Sequence, residues 1–466
     1  MAVDLQHVRN AQRSNPRWLA LCGIALALYS GCGESVDNRF DRQLDIGSLR
    51  YGNDNRLVTS IAPGVVESAV LTADAWELTA WASAPFPVLT VANGEFETRV
   101  FRINLRNVDP NLELPVRVGP LSVGRRRDTR CIDSEYADQP QVLLAPLEPE
   151  AREVGGVVLS VEIPPCTEVY IETSPAVSTA VYRIAILGAG LNNREQLDEA
   201  VRAAAASGAE HAVFLGNVVS AAGSPGALRT ILQGGGFTIG ITPGRSEAAG
   251  DWEAFQDTFG QTDFDARIGS LRLLCIDSAT GQLTDGQFDM LESLGQTAGP
   301  GMMLTHLPPL DGHGVSEESW VSLLQAGRAL AALRVAEVNT LVTSSRPEHV
   351  VQQRAGFDLV QIGQVNARGV SPRLLLVEVV RPVPALATCI EVADCRAGER
   401  CADSLCQLPC TLDAGCPGDR PTCDVAQGVC RVRCQEAADC PVPGPECGED
   451  GFCEESTRLQ WRWQSY

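Results

Sequence analysis

Between Leu57 and Thr179 the chain alternates short β-branched or apolar runs with turn-forming residues at intervals close to ten positions. VVESAVLTA, FPVLTV, ETRVFRINLRNV, LPVRVGPLSV, VGGVVLSVEI and EVYIETS are separated by Pro, Gly, Asn and Asp, and no window carries a helical period. Alternation broken by turn residues is the mark of short strands, so residues 56–179 are expected to form an antiparallel β-sandwich. From Val181 the period changes. VYRIAIL, HAVFLG, FTIGIT, LRLLCID, MMLT, NTLVT, DLVQIG and RLLLVEVV are strand candidates with longer amphipathic stretches between them. NREQLDEAVRAAAASGAE carries an apolar face through Leu197, Val201 and Ala204 and is entered by Asn192 or Asn193 as a cap. Thr284 and Gln287 form a capping-box pattern before FDMLESL. SWVSLLQAGRALAALRVAE reads as a further amphipathic helix capped by Ser316. Strands alternating with such helices give crossover units and a largely buried sheet, so residues 180–383 are expected to be one α/β domain.

The start of the chain bears on its compartment. Arg9, Arg13 and Arg17 precede the apolar run WLALCGIALALY, Trp18 to Tyr29, which is too short to cross a bilayer as a helix. A basic segment, a short apolar run and then small residues is the grammar of an export signal. Ser30, Gly31 and Cys32 resemble a bacterial lipoprotein lipobox, although Tyr29 stands where that family has Leu. The resemblance implies that residues 1–31 are removed and that Cys32 is acylated, anchoring the protein to a membrane facing the periplasm or cell surface. An ordinary signal peptide or an uncleaved anchor is the alternative, and either exports the chain. Residues 32–55 are polar and weakly periodic, as expected of a tether.

Export changes the reading of the 17 cysteines, because disulfides persist outside the cytosol. Cys131 and Cys166 are the pair expected within residues 56–179. Twelve more fall in residues 384–456 as three sets of four: Cys389, Cys395, Cys401 and Cys406; Cys410, Cys416, Cys423 and Cys430; Cys434, Cys440, Cys447 and Cys453. This is a tandem repeat whose units are too small for an apolar core, so disulfides are expected to replace one. Zinc binding usually shows ligand couples two to four residues apart, and the gaps here are mostly wider. The spacing, with EVADCRAGERC and EAADCPVPGPEC, resembles the Dickkopf-type cysteine-rich repeat, which implies a rigid exposed module at the free end of the chain. Residues 457–466 form a tail in which Trp461, Trp463 and Tyr466 read as a short strand packing one face.

The charge balance excludes one class of partner. With 58 acidic and 37 basic side chains among 466 residues, the formal charge is −21. Nucleic acids are held by clustered Lys and Arg, and so strongly acidic a balance disfavours them, so no nucleic-acid partner is expected. No GxSxG occurs, which removes the nucleophile-elbow reading. Cys275, inside an apolar run, is expected to be buried and inert.

Over about 200 residues the α/β block resembles the calcineurin-like metallophosphoesterases in the order of its landmarks. VYRIAIL ends in Gly188, Ala189 and Gly190 where that family has DxH. FLGNVV gives Gly216 and Asn217 where it has GDxV. TPGRSE gives Gly244, Arg245, Ser246 and Glu247 where it has PGNHE. THLPP is similar to THxPP, with His306 in the ligand position, and Ser344, Ser345, Arg346 and Pro347 fall on its closing GHxH. Gly188, Gly216 and Gly244 are spaced 28 residues apart, which suits crossover units. The resemblance implies an α-β-β-α fold, and the preceding sandwich resembles the layout of purple acid phosphatases. It also implies two divalent metals, a bridging carboxylate and a ring of imidazoles. Position by position, those groups have become Gly188, Gly190, Asn217, Arg245, Ser246, Ser345 and Pro347, and His306 alone keeps its type. Divalent ions need anionic or imidazole ligands to offset dehydration. The expectation is therefore no metal and no cofactor.

Two other readings of the cleft stay open on the sequence. Asp311, His313 and Glu247 could join His306 in a single-metal site, against the plainer reading of His306 as a hydrogen-bonded strand-end residue and His313 as an exposed loop residue. Alternatively, glycine-rich strand ends could turn backbone N–H groups toward an anion held by Arg245, against an arginine that merely faces solvent. Arg245, Asn217 and His306 are the candidate binding residues. The sequence thus describes a multidomain chain: a β-sandwich, a metallophosphoesterase-like α/β domain and a small disulfide-rich region. Its expected function is non-catalytic binding or structure in the envelope, with an unknown protein or envelope ligand as partner. The alternative is an active metal-dependent phosphoesterase hydrolysing phosphate mono- or diesters, with two divalent metals in an atypical site.

Overall fold

The computed structural model describes residues 48–380 except 52–56, 96, 121–141, 145–146, 175–180, 190, 192, 269–270, 298–299, 311–318, 347, 355 and 364–372. Beyond these it describes residues 400–402, 405–407, 422–424, 429–431 and 458–465. The signal, the lipidation candidate Cys32, Cys131, Gly190, Asp311, His313, Ser316 and Pro347 lie outside the described residues. So do Cys389, Cys395, Cys410, Cys416, Cys434, Cys440, Cys447 and Cys453.

Eleven strands make up the N-terminal unit: β1 (Ser48–Tyr51), β2 (Leu57–Ala62), β3 (Gly64–Leu71), β4 (Ala75–Ala82), β5 (Val88–Asn93), β6 (Arg99–Arg106), β7 (Val116–Pro120), β8 (Val142–Leu144), β9 (Ala151–Glu153), β10 (Gly156–Ile163) and β11 (Thr167–Glu172). They form one sheet in the order β1-β2-β5-β11-β7-β8 and another in the order β3-β4-β6-β10-β9. Alternate residues point inward, as period-two patterning requires. Leu57 and Ile61, Trp76 and Leu78, Phe101, Ile103 and Leu105, and Val169 and Ile171 from both sheets share one apolar cluster. The pairing is not purely antiparallel as expected: β4 and β6 run parallel. The reason is the connection, because β5 lies in the other sheet and the chain crosses and returns before β6. Cys166 in this unit is disulfide-bonded.

The α/β unit contains the helices α1 (Arg194–Ala206), α2 (Val219–Ala222), α3 (Pro225–Gln233), α4 (Arg245–Ala249), α5 (Trp252–Phe259), α6 (Asp285–Ser293) and α7 (Leu323–Val335). Its strands are β12 (Val181–Leu187), β13 (His211–Leu215), β14 (Thr238–Thr242), β15 (Phe264–Ile268), β16 (Leu271–Ile276), β17 (Gly301–Thr305), β18 (Val338–Thr343), β19 (Val350–Arg354), β20 (Phe357–Gln361) and β21 (Arg373–Val380). Past it come two hairpins, β22 (Arg400–Ala402) with β23 (Leu405–Gln407) and β24 (Thr422–Asp424) with β25 (Val429–Arg431), and then β26 (Arg458–Ser465). One sheet is ordered β14-β13-β12-β21-β26 and the other β15-β16-β17-β18-β20-β19.

Four layers result. Ile184, Val213 and Val377 of the first sheet meet Leu273, Leu304 and Val342 of the second in an apolar seam. Helices α1, α3 and α5 cover the outer face of the first sheet through Leu197, Leu228 and Phe255. Helices α6 and α7 cover the second through Phe288, Leu291 and Leu333. Strands β13, β14, β16 and β17 are buried at every position, the pattern of parallel strands covered on both faces. Asn193 caps α1, and Thr284 with Gln287 forms a capping box on α6. The cap of α7 is Ser322 and not Ser316: Ser322 has an extended backbone and its hydroxyl accepts from the Gln325 N–H, while the buried Trp320 just before it donates its indole N–H to the Leu307 carbonyl. The stretch read as a tail is β26, which lies beside β21 in the first sheet, so the cysteine-rich segment sits between neighbouring strands of one sheet and not at a free end. Among the described residues no helix is long and apolar enough to cross a membrane.

The two units are locked together at the edge of the first α/β sheet. Asn107, in the left-handed region at φ 62°, turns its amide onto the open edge of β14. Its Nδ2 donates to the Ile239 carbonyl at 2.8 Å and to the Ala82 carbonyl at 2.6 Å, and its Oδ1 accepts from the Ile239 N–H at 2.7 Å. Arg229 lies 3.7 Å over the Trp81 ring and pairs with Glu67. Asn107→Ala is expected to lower stability by about 3 kcal/mol, because it strands buried backbone groups on both sides of the junction. Urea unfolding measures the loss.

Candidate functional site

Parallel strands deliver their C-terminal ends to one end of a sheet, where the chain turns into loops and helices. Gly188 follows β12, Gly216 and Asn217 follow β13, and Gly244 caps α4 just after β14. His306 follows β17, and Ser344 and Ser345 follow β18. The structure therefore brings Gly188, Asn217, Arg245, Ser246, His306 and Ser345 to one end of the double sheet, as the ordered landmarks imply.

The organising group there is Glu247, only 3% exposed. Its Oε2 accepts from the backbone N–H of Asn217 at 2.7 Å and of Gly244 at 2.8 Å. Its Oε1 accepts from Val218 at 2.7 Å and Val219 at 3.0 Å. A carboxylate taking four such bonds offsets its burial with charge-assisted hydrogen bonds and ties the loop after β13 to the loop after β14. The tie forces close approach. A Cβ on Gly216, at φ 76°, would lie 2.6 Å from the Gly244 Cα, and one on Gly244 would lie 2.4 Å from the Asn217 Oδ1.

Asn217, itself left-handed at φ 56°, is held from three sides. Its Oδ1 accepts from the N–H and hydroxyl of Ser246, both at 2.9 Å, and its Nδ2 is 3.4 Å from the His306 Nε2. His306 is 2% exposed, and its Nδ1 lies 2.9 Å from the Leu215 carbonyl. A carbonyl can only accept, so Nδ1 carries the proton and Nε2 is the acceptor for Asn217. Burial pushes the His306 pKa down, the Leu215 carbonyl and Glu247 push it up, and Arg245 adds to the lowering. The ring is neutral.

At Gly188 the space a side chain would need is filled. A Cβ there would lie 2.6 Å from the Gly363 carbonyl oxygen, 2.9 Å from Ile362 and 3.0 Å from the Ser344 Oγ. That hydroxyl accepts from the Ala189 N–H at 2.5 Å and donates to the Ile362 carbonyl at 2.9 Å. Ser345 is buried, and with the Gln361 amide turned to face them its oxygen accepts from the Ser345 and Arg346 N–H groups at 3.1 Å.

These contacts decide which ligands the end of the sheet can take. A pair of divalent ions needs several anionic or imidazole donors aimed at one point. Here the lone pairs of Glu247 face backbone amides, the His306 Nε2 faces an amide, and Gly188 has no room for a carboxylate. Among the described residues no group of three or more His, Cys, Asp or Glu is placed to hold a metal. The described residues at the strand ends do not fit the metal pair, and Glu247 is not available to the single-metal alternative. Of the amides available to an anion, that of Gly244 points at Glu247, as do those of Asn217, Val218 and Val219, and that of Ser246 points at Asn217. Arg245 is exposed. Glu247 as a clasp and Ser344 as a plug are the two roles the sequence reading did not assign. The three-residue step from Gly244 to Glu247 is the one local signal for the first.

No protein-family model matches the chain, and no curated protein matches it. Among solved structures it is similar to a dimetal phosphatase from Danio rerio, with 9% identity over 42% of this chain and 94% of that one and a TM-score of 0.33. A purple acid phosphatase from yellow lupin seeds is 10% identical over 63% and 67%, with a TM-score of 0.34. GAP50, the anchor in the inner membrane complex of Plasmodium, is 11% identical over 44% and 82%, also at 0.34. What this chain can do follows from its own side chains.

Proposed function

We propose that this chain is a non-catalytic binding or architectural protein of the bacterial envelope, in which a metallophosphoesterase-like domain has lost its two-metal site. The observation that carries the proposal is that three positions described at the strand ends are filled or satisfied from within: Glu247 by four amides, Asn217 by Ser246 and His306, and Gly188 by Ser344 and the Gly363 carbonyl. Export and an acylated Cys32 are part of the proposal and are supported by the basic and apolar start of the chain. So are a β-sandwich platform in residues 56–179 and disulfides that shape the cysteine-rich modules.

The test uses the whole mature chain, since β26 follows the modules and completes a sheet. After dialysis, manganese, iron and zinc are measured, and a phosphomonoester and a phosphodiester are assayed with each metal added. Substoichiometric metal and no turnover are expected. A double variant restoring two carboxylates, Gly188→Asp with Asn217→Asp, is expected to gain no metal and to lose about 2–3 kcal/mol, because Gly188 lacks the volume for them. Stoichiometric metal with turnover that disappears in His306→Ala would overturn the proposal in favour of an active phosphoesterase with an atypical site.

A further inference from the structure

We infer that the cysteine-rich segment is an arm inserted into a β-hairpin of the α/β sheet, that the sheet needs both strands of that hairpin but not the arm, and that the arm leaves the domain at the end opposite the candidate site. The inference does not depend on whether the cleft is catalytic. Strands β21 and β26 pair antiparallel over eight residues, from Val380 opposite Arg458 to Arg373 opposite Ser465. The pairing is anchored by side chains: Trp463 packs against the seam between the sheets, its ring lies 5.1 Å from His349, and Arg462 lies 3.7 Å from Glu378. Two adjacent antiparallel strands need a connection of only about two to five residues. Here residues 381–457 intervene. Lengthening a connection costs stability only logarithmically, so a sheet can carry such an insertion.

The insertion has local structure of its own. Cys401 is directly opposite Cys406 in one hairpin and Cys423 opposite Cys430 in another, the third and fourth cysteines of the first and second modules. The repeat seen in the sequence therefore recurs as a repeated hairpin. Direction follows from register. Leu374 of β21 is opposite Leu187 beside Gly188, while Val380 is opposite Val181 at the other end of β12. Six residue steps at about 3.3 Å each place the exit of the arm roughly 20 Å from the candidate site.

Three measurements on the full chain and its variants test this. A variant with residues 381–457 replaced by Asn-Gly, the turn suited to a two-residue hairpin, is expected to fold with a Tm within a few degrees of the parent. A chain stopped after Val380 is expected to melt roughly 10 °C lower or more. Limited proteolysis of the intact protein between Val380 and Arg458 is expected to leave the β26 fragment bound under native conditions. A joined variant that fails to fold, a stopped chain that melts with the parent, or a β26 fragment that elutes separately would each overturn the inference.

Discussion

Replacing Glu247 by alanine is expected to cost about 4–5 kcal/mol, near the upper limit for a single substitution. Four N–H groups, those of Val218 and Gly244 buried and those of Asn217 and Val219 half-buried, lose their acceptor at once, and each stranded donor carries a penalty of about 1–3 kcal/mol before relaxation and water reduce it. The loops after β13 and β14 then lose the tie that draws Gly216 against Gly244, and Asn217 loses the backbone bond that holds its left-handed turn. Glu247→Gln keeps the shape and one acceptor oxygen but turns an NH2 group toward two donors, so a loss of about 2–4 kcal/mol is expected. Urea unfolding at neutral pH checks both, with an unchanged slope showing that the native state stayed compact. A metal ligand would behave in the opposite way, because its removal spares stability and abolishes ion binding. A Glu247→Ala protein as stable as its parent would sink the clasp.

Much of this site is legible in the sequence because crossover units carry equally spaced landmarks to one end of a sheet. Gly188, Gly216 and Gly244 lie there for that reason, and His306 joins them as the first residue after β17. The roles of the side chains are less legible. In sequence Glu247 is a ligand candidate, yet three residues after the N-cap of a short helix a carboxylate reaches back to free amides more readily than out to an ion. The plug at Gly188 is invisible in sequence because Ser344 lies 155 positions beyond the Ala189 amide it binds. Strand β26 shows the same limit: alternation identifies a strand, but only the fold supplies its neighbour β21 across the cysteine-rich segment. Strands β15 and β19 escaped because FDARI and VVQQR carry polar or charged residues typical of sheet edges, which dilute the apolar signal.

Acidification is expected to destabilise the protein through His211, well before its surface carboxylates are all protonated. His211 is fully buried between the sheets, and its pKa falls to about 3 because burial disfavours the imidazolium, with only a bond at Thr238 opposing. The Thr238 hydroxyl donates to the Glu210 carbonyl and so accepts from the His211 Nδ1 at 2.6 Å, which leaves Nε2 as the site for a second proton. That nitrogen faces the Gly240 backbone and Val213, with the Phe264 ring nearby, and has no polar partner among the described residues. The unfolded chain binds the proton near pH 6.5, so between 6.5 and 3 the unfolded state holds more protons than the native one. Stability is complete above 6.5 and is lost as pH falls toward 3, by up to about 5 kcal/mol from this residue. His306, also lowered by burial, adds to the loss, whereas Glu210 and Asp265, both raised by burial, oppose it. Against a domain stability of about 5–15 kcal/mol, a loss of about 3 kcal/mol from His211 by pH 4 is a large fraction and is the expected effect. Urea midpoints from pH 7.5 to 4 should decline in the parent and decline less in His211→Asn, which begins lower for loss of packing but has no imidazole to charge. Parallel pH curves for the two proteins would show that His211 is not the acid-sensitive group.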